Sequence, residues 1–247
     1  MPAGRPARRL KEAGLGIPVI SLDHYTAEVH DRGRNKPGTF EAAVRAIRIL
    51  QEAGFYVAVS FVPTRRLLDD PADFQRCLDF FRDLGVNDLR LTPPILSGRL
   101  TNRPEEALAP HHVARIVAAQ RSCTATPGYP GVFAYDHFER ADYYGCTAGY
   151  NYLFIDSRGN ACPCDFTMMA FGNVREEPVA EIWRRISGRF HTPGLTCYAT
   201  RIASRVVAEE GASWPLDRVA SERIHDACPS WDEQLPRFFA EMGFRRQ

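Results

Sequence analysis

Residues 146–164 read CTAGYNYLFIDSRGNACPC, and the rest of the chain is best understood outward from them. Cys146 is followed by twelve residues, then Gly159, then four residues and Cys164. Tyr150 to Asp156 (YNYLFID) has the aromatic and β-branched content of a strand. Ser157-Arg158-Gly159-Asn160 has the chemistry of a hairpin turn, and Ala161 to Phe166 reads as the returning strand. Gly159 supplies the backbone freedom that the turn needs. Such a hairpin brings Cys146 and Cys164 to the same end of the ribbon. Two thiols held that way are half of a four-cysteine site, with Cys197 and Cys228 available to supply the rest. Soft thiolates suit an iron–sulfur cluster or zinc, and spacing alone leaves both open.

The cysteine distribution supports a site in this half. Of the seven cysteines, Cys146, Cys162, Cys164, Cys197 and Cys228 follow residue 145. Cys77 lies on an apolar helix face and Cys123 has no neighbouring thiol, so both read as inert core residues. The chain has 247 residues, 45% of them hydrophobic, enough for one large core or two smaller ones. Lys+Arg 31 against Asp+Glu 30 gives a formal net charge of +1, so no nucleic-acid or membrane-surface partner is expected. No apolar run approaches a membrane span. The basic start Met1-Pro2-Ala3-Gly4-Arg5 is not followed by the apolar core of a secretory signal. The expected compartment is therefore the cytoplasm, where these thiols are not a disulfide framework.

Upstream of the cysteines, strands alternate with amphipathic helices. Ile17 to Asp23 reads as a buried strand, and Phe40, Val44, Ile47 and Leu50 mark one helix face before Gly54. Phe55 to Val62 is a second strand, and a helix carrying Phe74, Cys77, Leu78, Phe81 and Leu84 follows it. Asp88 to Thr92 is a third strand, closed by Pro93-Pro94, and a helix spans His111 to Gln120. That order implies a parallel sheet with right-handed crossovers, and chemistry beyond the carboxyl ends of the strands. Those ends are Ser21 to His24, Ser60 to Thr64 and Thr92 to Pro94. Thr126-Pro127-Gly128-Tyr129-Pro130-Gly131 reads as a linker. Further helices are expected around Val179 to Ile186, Thr200 to Glu210 and Trp231 to Met242.

Cys146-Thr147-Ala148-Gly149, then LFIDSRGNACPCDF, then Phe171-Gly172-Asn173-Val174 and Glu181-Ile182-Trp183, resembles the SPASM/twitch auxiliary-cluster domain of radical SAM enzymes. By that resemblance Cys146 and Cys164 match the first two cluster ligands, and Cys197 and Cys228 fall where later ligands lie. Cys162 is extra to the motif, an alternative ligand or a bystander. The dense cysteine run of a full SPASM domain is absent, so a shortened version with one 4Fe–4S cluster is implied. Val19 to Asp23, His30 to Arg34 and Gly38-Thr39-Phe40 resemble the fourth strand, loop and helix of the radical SAM partial barrel. Ala53-Gly54-Phe55 and Leu84-Gly85-Val86 match the next two strand entries. The fold implied is α/β: strands 4 to 6 of a (β/α)6 partial barrel over residues 1–122, then a small α+β auxiliary-cluster domain over 123–247. Ser21, and with it Arg34, are the implied contacts to S-adenosyl-L-methionine.

The Cys-x3-Cys-x2-Cys triplet of the family occurs nowhere in these residues. The opening RPARRLKEAGLGIPV resembles the end of the family's third helix, which leaves Ile17 to Asp23 as a bare sheet edge. The expectation is a piece of a longer radical SAM oxidoreductase or maturase; half of an enzyme completed by a partner chain and a degenerate homologue are the competing readings. A peptide or protein is the expected substrate. The alternatives from other classes are a non-catalytic electron-transfer or peptide-binding module, and a zinc-stabilised structural domain.

Overall fold

A computed structural model describes residues 4–100, 103–135, 140–209, 214–228 and 234–244. The chain divides into two units: 1–94 with 108–136, and 95–107 with 137–247.

The first unit is built on a four-stranded parallel sheet in the order β1 (Val19–Ser21), β2 (Ala58–Phe61), β3 (Asp88–Leu91), β4 (Gly131–Ala134). Parallel neighbours need long crossovers, and helices supply them. Helix α1 (Arg5–Glu12) precedes β1, and α2 (Ala27–Arg34) and α3 (Thr39–Glu52) follow it. Between β2 and β3 run α4 (Arg65–Asp69) and α5 (Pro71–Asp83), and α6 (Pro110–Ala125) leads into β4. Helix α5 starts where it does because Asp70 accepts hydrogen bonds from the N–H groups of Ala72 (2.9 Å) and Asp73 (3.0 Å), with Pro71 in the first turn. Val57, Val59, Phe61, Leu89 and Leu91 are buried with Ile47, Phe74, Leu78 and Phe81 from the helices. Cys77 and Cys123 lie in this core, as their sequence context implied.

Two elements differ from the sequence reading. His30 to Arg34, expected as loop, belongs to α2. Its residues are mostly charged, so they carry little apolar periodicity. Gly131 to Ala134, hidden behind linker chemistry, pairs with β3 and ends the sheet. The expected strands are present but shorter. β1 is an edge: among the described residues no strand lies on its outer side.

The second unit holds the antiparallel hairpin β5 (Phe154–Ile155) and β6 (Ala161–Cys162). Its helices are α7 (Val179–Ser187), α8 (Tyr198–Val207), α9 (Arg218–Asp226) and α10 (Arg237–Glu241). Helix α9 was not expected. The helix expected at Thr200 to Glu210 is α8, with Glu210 outside the described residues. Of the helix expected over Trp231 to Met242, residues 231–233 lie outside the described residues, 234–236 are not helical, and α10 covers Arg237–Glu241. Ala161, Met169, Phe171, Ile182, Ile186, Phe190, Tyr198 and Ile202 form a separate buried cluster. Among the described residues no helix is long and apolar enough to cross a membrane.

Candidate functional site

Beyond the carboxyl ends of β1 and β2 lies a cleft of about 780 Å3, within the size range of small-molecule sites. Asp23, at the end of β1, is held from three directions. Its Oδ1 accepts the Val62 N–H (3.2 Å), its Oδ2 pairs with Arg34 Nη2 (2.6 Å), and its own N–H donates to His30 Nδ1 (3.1 Å). Burial holds the His30 pKa below its ordinary value, so the ring is an uncharged acceptor. Asp73 on α5 accepts from Tyr25 Oη (2.7 Å) and Arg76 Nη2 (3.0 Å), with His24 Nε2 at 3.4 Å. Burial opposes the charge on Asp73, but these three donors together keep its carboxyl below the usual range. Arg34 lines this cleft. Ser21 is exposed on β1, in register with Ser60, and stands outside the cleft lining. The Asp73 group escaped the sequence reading because its members are about 48 residues apart in the chain.

The thiol site is built by backbone geometry. Cys146 and Gly194 form an antiparallel bridge, each N–H donating to the other's carbonyl at 2.8 Å. Three residues after Gly194, Cys197 occupies the N-cap of α8, and its thiol is hydrogen-bonded to that of Cys146. The Cys146 contact and the N–H groups of Ala199 and Thr200 draw the Cys197 pKa down, while that contact and burial push Cys146 up. A thiolate at a helix N-terminus is the expected ligand form. The Tyr198 N–H donates to Cys146 Sγ at 3.4 Å.

Cys164 Sγ accepts the Phe166 N–H at 3.2 Å. Burial pushes the Cys164 thiol up to about 12, and Cys197 is among its charged neighbours. Cys228 follows α9, its N–H donating to the His225 carbonyl at 2.9 Å, and it packs on the same apolar cluster as Cys146 and Cys164. Cys162 differs. Burial pushes it up to about 12, and its electrostatic neighbours are Asp156 and the Met169 backbone, with no thiol among them.

The hairpin turn is fixed as its sequence implied. Gly159 has φ +89°, and a Cβ there would lie 2.7 Å from Asn173 Oδ1. Asp156 Oδ1 accepts the N–H groups of Arg158 (2.8 Å) and Asn160 (2.9 Å). The Phe171-Gly172-Asn173-Val174 stretch lies along the returning strand: Phe171 N–H donates to the Ala161 carbonyl (2.8 Å) and Ala161 N–H to the Gly172 carbonyl (2.9 Å). That pairing explains the Gly-Asn pair beside the cysteines.

The described thiols do not close a single-ion site. Tetrahedral zinc, with Zn–S bonds of about 2.3 Å, needs sulfurs about 3.8 Å apart. Among the described residues, no three cysteine sulfurs lie within 4.8 Å of one another. Of the four thiols, Cys146 and Cys197 are in hydrogen-bond contact and the others do not close a triplet with them. One other grouping, Asp69, His111 and His112, places ligand atoms within 4.8 Å. There His112 Nδ1 accepts the Ala109 N–H (2.9 Å), which puts the ring proton on Nε2, facing Asp69 Oδ1 at 2.8 Å. A metal-bound imidazole donates from its second nitrogen. His112 instead accepts there, and serves as a cap of α6.

Residues 146–191 match the SPASM family, an iron–sulfur cluster-binding domain. The AdoMet-dependent heme synthase of Oleidesulfovibrio alaskensis is 28% identical over 219 residues, covering 77% of this chain and 54% of that protein. The AdoMet-dependent heme synthase of Methanosarcina barkeri is 25% identical, covering 71% of this chain and 55% of that protein. The PqqA peptide cyclase of Granulibacter bethesdensis is 26% identical, covering 71% and 48%. Among solved structures, anSMEcpe with bound AdoMet aligns with TM-score 0.53 at 15% identity, covering 73% of this chain and 53% of that one. The sheet has the α/β fold of the radical SAM structures it aligns with, and the Cys146–Cys164 hairpin lies in the segment that matches the iron–sulfur domain. Over about half the length of the curated relatives it matches, the chain is similar to radical SAM proteins, and residues 146–191 match the SPASM iron–sulfur domain.

Proposed function

We propose that Cys146, Cys164, Cys197 and Cys228 hold one auxiliary 4Fe–4S cluster, and that the chain works within a radical SAM oxidoreductase or maturase. The observation that carries this reading is that Cys146, Cys164 and Cys228 pack on one apolar cluster with Cys197 hydrogen-bonded to Cys146, beside the hairpin that matches the iron–sulfur domain. When bound, the cluster supplies one-electron transfer or an iron that anchors substrate. The protein's part is to stabilise the thiolates. The α8 amides do so at Cys197 and the Phe166 N–H at Cys164, while the apolar surroundings tune the potential. Cys162 is buried with no thiol among its electrostatic neighbours, and we leave it out of the ligand set.

S-adenosyl-L-methionine is the second cofactor of this reading. Arg34, lining the cleft, is the contact the geometry favours, and Ser21 is the weaker one. Reductive cleavage needs the Cys-x3-Cys-x2-Cys cluster, which these 247 residues do not contain. We place it outside this sequence. Accordingly, the chain reconstituted alone with iron and sulfide is expected to bind about four irons and to leave S-adenosyl-L-methionine intact under dithionite. Cleavage by the chain alone, or iron binding that survives Cys146→Ala/Cys164→Ala, contradicts it.

The substrate expectation from the sequence is a peptide, and the PqqA peptide cyclase among the relatives supports it. A second reading is favoured by the two heme synthases, which match at comparable identity. It makes the substrate a tetrapyrrole. Titrating an iron porphyrin into the reconstituted chain separates them: a shifted porphyrin band supports the second reading, and an unchanged band returns the substrate to the peptide class.

A further inference from the structure

Tyr198 links the Cys146–Cys197 pair to the helix that precedes Cys228. It follows Cys197 in the chain, and its N–H donates to Cys146 Sγ at 3.4 Å. Its ring is 2% exposed, packed edge-on against Phe190 with centroids 4.9 Å apart. Its hydroxyl lies 2.9 Å from His225 Nδ1. His225 is on the last turn of α9, three residues before Cys228. The Arg189 backbone acts on His225 in the sense of an acceptor for a ring proton, and Nε2 is the nitrogen left for it. Nδ1 is therefore the acceptor, and the Tyr198 hydroxyl donates to it. Cys228 is near enough to act electrostatically on that phenol.

The bond thus ties the start of α8, capped by Cys197, to the last turn of α9, which Cys228 follows two residues on. Neither helix supplies that link by its backbone. Another polar tie between these segments, Arg223 to Glu209 at 2.6 Å, is exposed and lies just past the far end of α8, whereas a buried hydrogen bond at the thiol end permits one spacing.

Resting on the four-cysteine reading above, we propose that Tyr198 and His225 are positioning residues that set the reach of Cys228 to the cluster. Cys146, Cys164 and Cys197 hold three corners, and the tyrosine–histidine bond places the fourth thiolate.

An iron without its thiolate is the one a cluster loses first. On one-electron oxidation by ferricyanide, a 4Fe–4S(2+) cluster that releases Fe2+ is left as 3Fe–4S(+), which is paramagnetic. The experiment reconstitutes the full chain anaerobically, adds ferricyanide, and integrates the 3Fe–4S electron paramagnetic resonance signal per cluster. Tyr198→Phe and His225→Leu should raise that signal several-fold, towards the level of Cys228→Ser. His225→Gln, which keeps an acceptor for the hydroxyl, should stay near the unsubstituted protein. Cys162→Ser should have no effect.

Circular dichroism of each cluster-free variant checks folding, and either side of the bond reads it, so one misfolded variant leaves the other to decide. An unchanged signal in both Tyr198→Phe and His225→Leu overturns the proposal. If the unsubstituted chain takes up no cluster at all, the four-cysteine reading fails instead, and the two failures are distinguishable.

Discussion

Cys146 and Gly194 exchange both backbone hydrogen bonds at 2.8 Å, and this bridge carries Cys197 to the side of Cys146. The two thiols are 51 residues apart in sequence yet hydrogen-bonded in the fold. Gly145, just before the bridge, has φ +63°, and a Cβ there would run into the Gly194 carbonyl and the Pro236 ring. Gly145→Ala is therefore expected to cost more than about 1 kcal/mol from backbone strain alone. It should also lower iron retention. Denaturant melts and iron analysis of the reconstituted variant check both effects, and a melt matching the unsubstituted chain contradicts the role given to the bridge.

Gly159→Ala tests the hairpin. With φ +89° and Asn173 Oδ1 2.7 Å from the added Cβ, the turn has neither the conformation nor the room for a side chain. The expected loss is about 1–3 kcal/mol. Asn173→Ala removes the steric part but also the bonds from Asn173 Nδ2 to Asn160 and the Arg158 carbonyl. The double variant should therefore lose less than the sum of the two single losses. Urea unfolding of the three variants reads the coupling, and strict additivity would count against it.

His30 gives the first unit a pH dependence. Its ring is 2% exposed, it accepts the Asp23 N–H, and burial holds its folded pKa below the ordinary 6.5. The unfolded chain therefore binds this proton more readily than the folded one. The stability due to neutral His30 is complete above pH 6.5 and is lost as the pH falls from there through the folded value. The urea midpoint should drop between about pH 7 and about pH 5.5. His30→Gln, which retains an acceptor for Asp23, should shrink that drop; an identical drop would show that other groups cause it.

Asp73→Asn tests the cleft. The substitution keeps the shape but removes the charge that gathers Tyr25, Arg76 and His24. Arg76 is half exposed, so its ion pair contributes little, and the loss should come mainly from the Tyr25 bond: about 1 kcal/mol in all. Binding of S-adenosyl-L-methionine, followed by calorimetry on the reconstituted chain, should weaken with it, since the cleft wall beside Arg34 loosens. Unchanged stability and unchanged binding together would remove Asp73 from the site.

The sequence showed most clearly what is local. The hairpin could be read from Gly159 and its flanking residues, because turn geometry and strand content are set within a few positions. The helix faces of α3, α5 and α7 could be read because Ile47, Phe81 and Ile186 recur at helical spacing in the core. Elements whose cause is distant were not legible. β4 is a four-residue strand that exists because β3 pairs with it, and its neighbours Pro127 to Pro130 signal only a turn. Helix α2 is held at its end by Asp31, whose carboxylate accepts the Gly38 (2.6 Å) and Phe40 (2.8 Å) N–H groups, contacts that no periodicity announces. The thiol site divides the same way. Cys146 and Cys164 share a motif, whereas Cys197 is brought in by the Gly194 bridge and Cys228 approaches beside Tyr198.

The central claim is that this chain's cysteines hold an iron–sulfur cluster, and Mössbauer spectroscopy of the chain reconstituted with isotope-enriched iron tests it most directly. The account predicts about four irons per chain in a single 4Fe–4S spectrum, abolished by Cys146→Ala/Cys164→Ala and retained in Cys162→Ser. Iron bound only as isolated ions, or a colourless chain that takes up one zinc through the same thiols, would contradict it.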